Sequence, residues 1–323
     1  MARGDDALAL VALRSAAAKG MAGAFDLLTM VLARLGRQDE TLDAGLEALK
    51  RAPIKARTLS KVATALCNRG EIERLWRLCI DLRARGEHSP LLAAVMCSVA
   101  AMRGDTNELE KLIDRPKWFL ADRLQVPEHF NRKLAAEILA EKSARPMQGD
   151  VATRGAGWRI DNLERVAAPH VRDLMRMIRA AVDKYAAERE HFRSEPIMTE
   201  CPAAVTLNSW SLAAQEDGHT AWHIHPRAWI TGVYYVEVPE LKPAGADSPG
   251  SIEFGPFPLG ANAEALKPHC WRVTPEPGML LLFPSHYAHR SIPTGAAAPR
   301  ISIALDVLPC RPAGTATEQS DSL

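Results

Sequence analysis

Two histidines one residue apart, His223 and His225, lie in the segment WHIHPRAW, which has a tryptophan at each end. In an extended segment both imidazoles point to the same side of the chain, because side chains alternate between the two faces. Such a pair, joined by one residue from a distant strand, holds a first-row metal on one side and leaves its other positions open. His289, which follows an apolar segment and a short turn, is the candidate for the third ligand.

The order of these residues resembles the iron(II)/2-oxoglutarate-dependent oxygenase superfamily. Over residues 200–309, His-x-His is followed by an apolar YYV segment, by GMLLLFPSHYAH and by RIS. The resemblance implies that Fe(II) is bound by His223, His225 and His289. It also implies that Arg300 binds the far carboxylate of the cosubstrate 2-oxoglutarate, and that O2 takes a remaining position on the metal. A guanidinium fork suits this role, since it meets a carboxylate through two parallel hydrogen bonds.

Four more residues are candidates for the cosubstrate pocket. Ser302 has the same parity as Arg300 and can donate its hydroxyl to the same carboxylate. The family's carboxylate-binding tyrosine corresponds best to Tyr235, with Tyr234 as the alternative. Asn208 and Trp210 share one face of the preceding strand and are expected to line the pocket.

One position departs from the family pattern. Most relatives have Asp or Glu where His225 stands, and the His-x-His form resembles a bacterial and phage subgroup of the superfamily. A neutral imidazole in place of a carboxylate leaves Fe(II) more positive and retunes its binding. A carboxylate from elsewhere, such as Asp217 or Glu237, is the alternative ligand.

The composition indicates a globular protein with partners that are recognised locally. The chain has 323 residues, of which 47% are hydrophobic, and 40 basic against 39 acidic residues give a net charge of +1. So balanced a charge does not favour nucleic acid or an anionic membrane as a partner. We expect a cytoplasmic protein, because Asp5 and Asp6 precede the first apolar run where a secretory signal has positive charge, and no apolar stretch is long enough to span a bilayer. Six cysteines without a CxxC pair are expected to be reduced thiols.

The first half of the chain predicts helices, since apolar residues recur at helical spacing from residue 5 to about 143. Glycines at 36, 70 and 104 are 34 residues apart, and each stands between two amphipathic segments. This period indicates stacked helical hairpins and resembles the tetratricopeptide repeat over residues 21–115, with Ala48 and Pro53 at the repeat's small residue and terminal proline. An irregular helical bundle is the alternative.

The second half predicts strands, because short apolar or alternating runs are separated by glycine and proline. A helix over 168–190 precedes them, and its apolar stripe is expected to lie on a sheet. We therefore predict an α+β fold, with an all-α helical-repeat domain followed by a double-stranded β-helix of the jelly-roll type. The predicted domains are 1–145 for the repeats and 150–310 for the β-helix, with a disordered tail at 311–323.

These features together predict a 2-oxoglutarate-dependent Fe(II) oxygenase, specifically a hydroxylase. Stacked repeats form a concave surface that suits an extended peptide, so a protein or peptide substrate is preferred to a small molecule, and self-association through the repeats is the other use. Two other functions stay open. One is a non-catalytic jelly-roll binding module on a helical scaffold, and the other is a three-histidine dioxygenase that does not use 2-oxoglutarate.

Overall fold

Helices occupy most of the N-terminal part of the chain, and strands occupy most of the C-terminal part. The computed structural model describes residues 2–51, 53–148, 152–189, 202, 204–240, 248–260 and 263–310. Helices α1–α11 are Ala2–Ala18, Ala24–Arg34, Gln38–Leu49, Ala56–Asn68, Ile72–Ala84, Pro90–Met102, Thr106–Ile113, Arg115–Trp118, Phe130–Leu139, Pro169–Glu188 and Ala263–Leu266. Strands β1–β12 are Leu120–Arg123, Arg145–Pro146, Thr153–Arg154, Gly157–Asp161, Val205–Ala214, His219–Thr220, Ile230–Glu237, Ile252–Gly255, Trp271–Val273, Met279–Pro284, Ala288–Ser291 and Arg300–Pro309. The predicted fold class is confirmed.

Three helical hairpins follow one another in the N-terminal region, formed by α2 with α3, α4 with α5, and α6 with α7. The predicted glycines lie in the turns, where Gly36, Gly70 and Gly104 have φ angles of 70°, 70° and 68°. A residue with a Cβ adopts this left-handed conformation at a cost, which is the reason for glycine at the helix end. The 34-residue spacing therefore marks the same turn three times.

An ion pair also recurs at the same period. Arg69 binds Asp39, and 34 residues later Arg103 binds Glu73 with a separation of 2.8 Å. Each arginine lies at the C-terminal end of the first helix of its hairpin. Its carboxylate partner lies on the second helix of the preceding hairpin. The same contact thus stacks successive hairpins, although their assignment as tetratricopeptide repeats stays a prediction.

The prediction of continuous helix to about residue 143 is wrong for one segment. Strand β1 pairs antiparallel with β10 at the edge of the main sheet, with Leu120 opposite Leu282. Pro127 follows this segment, and proline disfavours helix at and before its own position. The predicted domain boundary near residue 150 stays a prediction, but β1 lies on its N-terminal side and pairs with the C-terminal sheet.

The strands form a jelly roll of two facing sheets. The main sheet has the order β1-β10-β7-β12-β5-β4-β2, and the smaller sheet has the order β11-β8-β9. From β5 to β12 the chain passes repeatedly from one sheet to the other, and the segment around His223 extends the smaller sheet by a bridge to β11. Just after the predicted domain boundary, β4 joins the main sheet by pairing with β5.

The two faces of β12 have different surroundings. Ile301, Ile303, Leu305 and Val307 are fully buried in one cluster with the apolar stripe of α10, which lies on the sheet as predicted. Burying each such side chain stabilises the fold by about 1.5–3 kcal/mol. The opposite face of β12 turns towards the smaller sheet and carries Arg300.

The hairpins pack directly on the jelly roll. Residues of α4, α5 and α6 share a hydrophobic cluster with Ile224, Leu259 and Leu266 of the C-terminal region. The hydroxyl of Ser98 on α6 donates to the carbonyl oxygen of Phe257 at 2.7 Å. No helix in the described part of the chain has the length and the apolar character needed to cross a bilayer.

Candidate metal and 2-oxoglutarate site

Backbone pairing brings the third histidine to the first two. His223 and His289 form an antiparallel bridge, in which each amide N–H donates to the carbonyl oxygen of the other residue at 3.1 Å. The amide of His225 donates to the carbonyl oxygen of Ser285 at 3.0 Å. Residues 66 positions apart in the chain are thus fixed side by side by main-chain hydrogen bonds.

The three imidazoles form a compact cluster. The potential ligand atoms of His223, His225 and His289 all lie within 4.8 Å of one another. The ring centroids are 5.1 Å apart for His223 and His225, 4.3 Å for His223 and His289, and 5.2 Å for His225 and His289. Ligand atoms at these separations suit a single first-row metal ion.

Each ring has its Nδ1 atom directed away from the centre of the cluster. Nδ1 of His223 donates to the carbonyl oxygen of Ala221 at 2.7 Å, and Nδ1 of His289 donates to that of Tyr287 at 2.9 Å. A carbonyl oxygen only accepts, so these two rings carry their proton on Nδ1. Nε2 is therefore the atom through which these two imidazoles could bind a metal.

Burial keeps His289 in the form that a metal needs. The desolvation of its ring holds the pKa of His289 well below its ordinary value of 6.5, and the neighbouring His223 and His225 lower the pKa further. A neutral imidazole has a lone pair to donate to a metal, whereas an imidazolium has none. The cluster thus fits a metal cation by its donor atoms and by the protonation of its most buried member.

Arg300 is a buried cation, with a side chain only 5% exposed. Its guanidinium group donates to the carbonyl oxygens of Gly250 at 2.9 Å and Ile292 at 3.4 Å, and its Nε has no hydrogen-bond partner among the described residues. Burial lowers the pKa of Arg300 from its ordinary value of 12.5, although arginine stays charged at neutral pH. A buried guanidinium with an unpaired Nε fits a carboxylate ligand.

Ser302 and Tyr235 lie on the same face as Arg300. They are opposite each other in the pairing of β12 with β7. Tyr235 is fully desolvated, which raises the pKa of its phenol to about 12, while the charge of Arg300 acts in the other direction. The alternative tyrosine, Tyr234, faces the other side of the sheet, where its hydroxyl donates to Oδ1 of Asn131 at 2.7 Å.

Asn208 and Trp210 lie beside β12 on this face. Asn208 pairs with Asp306 and Trp210 pairs with Ala304. The ring of Trp210 stacks on that of His225, with centroids 6.0 Å apart and planes at 23°. Because Asn208 and Trp210 are only partly buried, they mark the open end of the face, whereas Arg300 lies at its closed end.

The two carboxylates considered as substitutes for His225 do not join the histidine cluster. Glu237 is exposed, and the carboxylate of Asp217 accepts from the amide of Ala156 at 3.0 Å. The carboxylate that lies next to the cluster is Asp306, with Oδ1 2.7 Å from Nδ1 of His225. Our sequence reasoning missed Asp306, although it shares the parity of Arg300 and Ser302.

Residues 208–306 match the family model described as "Putative 2OG-Fe(II) oxygenase", where 2OG is 2-oxoglutarate. This segment contains the three histidines, Arg300 and the other predicted site residues. No curated protein matches the chain.

Solved structures that resemble this chain include two hydroxylases and one protein with 2-oxoglutarate bound. A Pseudomonas putida prolyl-4-hydroxylase is 14% identical, with 61% of this chain and 96% of that chain covered and a TM-score of 0.41. A Trichoplax adhaerens prolyl hydroxylase in complex with a peptide fragment of hypoxia inducible factor is 14% identical, with 64% and 92% covered and a TM-score of 0.42. HygX from Streptomyces hygroscopicus, with nickel and 2-oxoglutarate bound, is 14% identical, with 62% and 86% covered and a TM-score of 0.41.

Proposed function

We propose that this protein is an Fe(II)- and 2-oxoglutarate-dependent hydroxylase, because residues 208–306 match the model of the 2OG-Fe(II) oxygenase family. One observation carries the proposal: the jelly roll contains both a three-histidine cluster and a buried arginine whose Nε has no hydrogen-bond partner among the described residues. A three-histidine metal site without a buried arginine nearby would fit several reactions. The cation adds a specific requirement for an anionic ligand in the same pocket.

In this proposal Nε2 atoms of His223, His225 and His289 hold Fe(II). Bound together, Fe(II) and 2-oxoglutarate supply the O2-dependent oxidation of a substrate C–H bond, coupled to decarboxylation of the cosubstrate. The chain's own part is binding and orientation. Arg300 takes the far carboxylate of 2-oxoglutarate, and Ser302 adds a hydroxyl hydrogen bond to it.

The remaining residues shape the pocket. Tyr235 stays a neutral phenol at physiological pH, since its pKa is raised to about 12, and it offers a donor beside Arg300. Arg300 and Tyr235 are buried, and surroundings of low dielectric constant strengthen an ionic contact with the cosubstrate. Asn208 and Trp210 border the open end, where we place the substrate, either a peptide segment or a small molecule.

Replacing Arg300 by methionine tests the proposal. The change removes the cation and keeps an apolar side chain of similar length, so 2-oxoglutarate should bind roughly 100-fold or more weakly, as expected when one member of a buried ion pair is lost. Calorimetric titration of 2-oxoglutarate into the Ni(II)-loaded protein measures this effect. Ni(II) binding itself should not change.

Arg227→Met is the matched control, because Arg227 is exposed and lies just after the histidine pair. It should bind 2-oxoglutarate as the wild type does. Equal affinities in wild type and Arg300→Met would contradict the proposal and favour a three-histidine dioxygenase that coordinates its substrate directly.

A further inference from the structure

His225 differs from the other two histidines in what its Nδ1 atom meets. His223 and His289 turn Nδ1 towards backbone carbonyl oxygens, but His225 turns it towards the side chain of Asp306. Nδ1 and Oδ1 are 2.7 Å apart, and the two side chains are 10% and 16% exposed. Two members of the cluster therefore have neutral partners, and one has a carboxylate.

The carboxylate oxygen has no other use among the described residues. Oδ1 of Asp306 is buried, and although it is close to Nδ1 of His225, the two atoms are not aligned as a hydrogen bond. The neighbouring hydroxyl of Thr231 donates elsewhere, to the carbonyl oxygen of Leu305 at 2.8 Å. A buried carboxylate oxygen without a donor is costly, so a small rotation that brings it into line with Nδ1–H is favoured.

The ring of His225 stacks against two other rings. Trp210 stacks on the ring at 6.0 Å, and the ring of His289 is nearly parallel to it at 5.2 Å, with an angle of 4° between planes. Stacking fixes the plane of the ring but does not select the nitrogen that carries the proton. A carboxylate at Nδ1 selects the tautomer with Nε2 as the metal ligand.

The carboxylate also changes the charge of the site. Three neutral imidazoles contribute no negative charge, and a bound Fe(II) polarises each ring and makes its N–H more acidic. An anion that accepts this N–H stabilises the metal-bound state more than a carbonyl oxygen does, because charged hydrogen bonds are roughly twice as strong.

We propose that Asp306 is a positioning residue for the metal site and acts through Nδ1 of His225. In most relatives a carboxylate ligand brings a negative charge to the metal. Here Asp306 supplies that charge without being a ligand itself. The proposal rests on the proposed function, since it assumes that the three histidines bind a divalent metal. The proposal accounts for the histidine at position 225, where most relatives have a carboxylate ligand. A carboxylate is still present, but the imidazole of His225 lies between it and the metal.

Anaerobic titration of the full chain with Co(II), followed by its visible absorption, tests the proposal. Asp306→Asn keeps an oxygen that accepts the Nδ1 proton and removes the charge, so we expect Co(II) to bind about tenfold more weakly. Asp306→Ala removes the acceptor as well, and we expect a loss of about 100-fold. Glu237→Gln, a carboxylate change at an exposed position on the neighbouring strand, is the control and should leave affinity unchanged.

A double-mutant comparison separates this role from a general structural one. In the His225→Ala background Asp306 has no imidazole to act through, so Asp306→Asn should cause no further loss of Co(II) affinity. A tenfold loss in both backgrounds would overturn the proposal, as would unchanged affinity of Asp306→Asn in the wild-type background or a loss in Glu237→Gln. If the wild-type chain bound no Co(II), the proposed function itself would fail, which is a different result from these.

Discussion

At the scale of single residues, β12 carries two side chains of opposite charge. Arg300 and Asp306 lie on the same face of this strand, with Ser302 and Ala304 between them. The arginine suits the carboxylate of a cosubstrate, and the aspartate suits the imidazole of a metal ligand. Strand β12 thus carries the positive Arg300 at its buried end and the negative Asp306 near the histidine cluster.

Ser302 provides a prediction at this scale. Replacing Ser302 by alanine removes one hydroxyl donor near the proposed carboxylate site, so 2-oxoglutarate should bind about tenfold more weakly, in line with a hydrogen bond to a charged group. Titration of 2-oxoglutarate into the Ni(II)-loaded variant measures the change.

Ser209→Ala is the matched control, since Ser209 is a buried serine of the adjacent strand with its hydroxyl turned towards Met175 on the opposite face. It should leave 2-oxoglutarate affinity unchanged. The assignment of Ser302 to the pocket would be wrong if both variants bound 2-oxoglutarate as the wild type does.

The sequence was informative about which side chains come together and less so about their hydrogen-bond partners. Parity and order predicted that the three histidines would lie close together, because strands alternate their side chains regularly; their role as ligands stays a prediction. The Nδ1 partners of His223 and His289 are backbone carbonyl oxygens, which any residue provides, so no residue type signals them. Asp306 was visible by parity with Arg300, but its proximity to His225 depends on the contact between two sheets.

At the scale of elements, the helical hairpins contact residues that are next in the chain to members of the histidine cluster. Ile224 lies between His223 and His225, and Ala288 precedes His289. Both belong to the hydrophobic cluster formed by α4, α5 and α6, with exposures of 7% and 1%. The histidines face the pocket while their neighbours anchor the same segments in the helical core.

Ile224→Ala tests this anchoring. The change leaves a cavity and should lower the free energy of unfolding by about 3 kcal/mol, as is usual for buried isoleucine. Because the segment also positions two ligands, Co(II) affinity should fall roughly tenfold. Urea unfolding and Co(II) titration measure the two effects.

Leu32→Ala, in the core of the first hairpin, is the control. It should reduce stability to a similar degree and leave Co(II) affinity unchanged. Equal Co(II) affinities for the wild type and Ile224→Ala would show that the helical core does not position the ligands.

Helices and strands were predicted correctly where the apolar pattern extends over many residues. A strand of only four residues was missed. The hairpins, α10 and the long strands β5, β7, β10 and β12 follow directly from apolar spacing and from glycines in the turns. Strand β1 has only four residues, 120–123, inside a largely helical composition, and it is stabilised by pairing with β10. Such pairing between distant segments leaves no local pattern.

At the scale of the whole molecule, the helical region and the jelly roll share a core. His286, between β10 and β11, is 4% exposed and donates through Nε2 to the carbonyl oxygen of Leu112 on α7 at 3.1 Å. Burial lowers the pKa of His286 to about 4. The neutral ring therefore links the two parts of the molecule at neutral pH.

This link predicts a loss of stability in acid. In the unfolded chain His286 titrates near its ordinary pKa of 6.5, so between pH 6.5 and 4 the unfolded state binds a proton that the folded state does not. The protonation of His286 in the unfolded state alone should lower the free energy of unfolding by about 2 kcal/mol from pH 7 to pH 5. Urea unfolding at both pH values measures it.

His286→Gln should remove that part of the pH dependence, whereas His88→Gln, at an exposed histidine, should retain it. An identical pH dependence in the wild type and both variants would contradict the account of His286. Other acid-sensitive groups affect all three proteins alike and cancel in the comparison.

The central claim, that one face of the jelly roll binds Fe(II) through three histidines and 2-oxoglutarate through Arg300, has one direct test. The wild-type protein is titrated anaerobically with Fe(II) and then with 2-oxoglutarate, and its visible absorption is recorded. We expect iron to bind and a metal-to-ligand charge-transfer absorption to appear on addition of 2-oxoglutarate. Bound iron without that absorption at millimolar 2-oxoglutarate would contradict the claim.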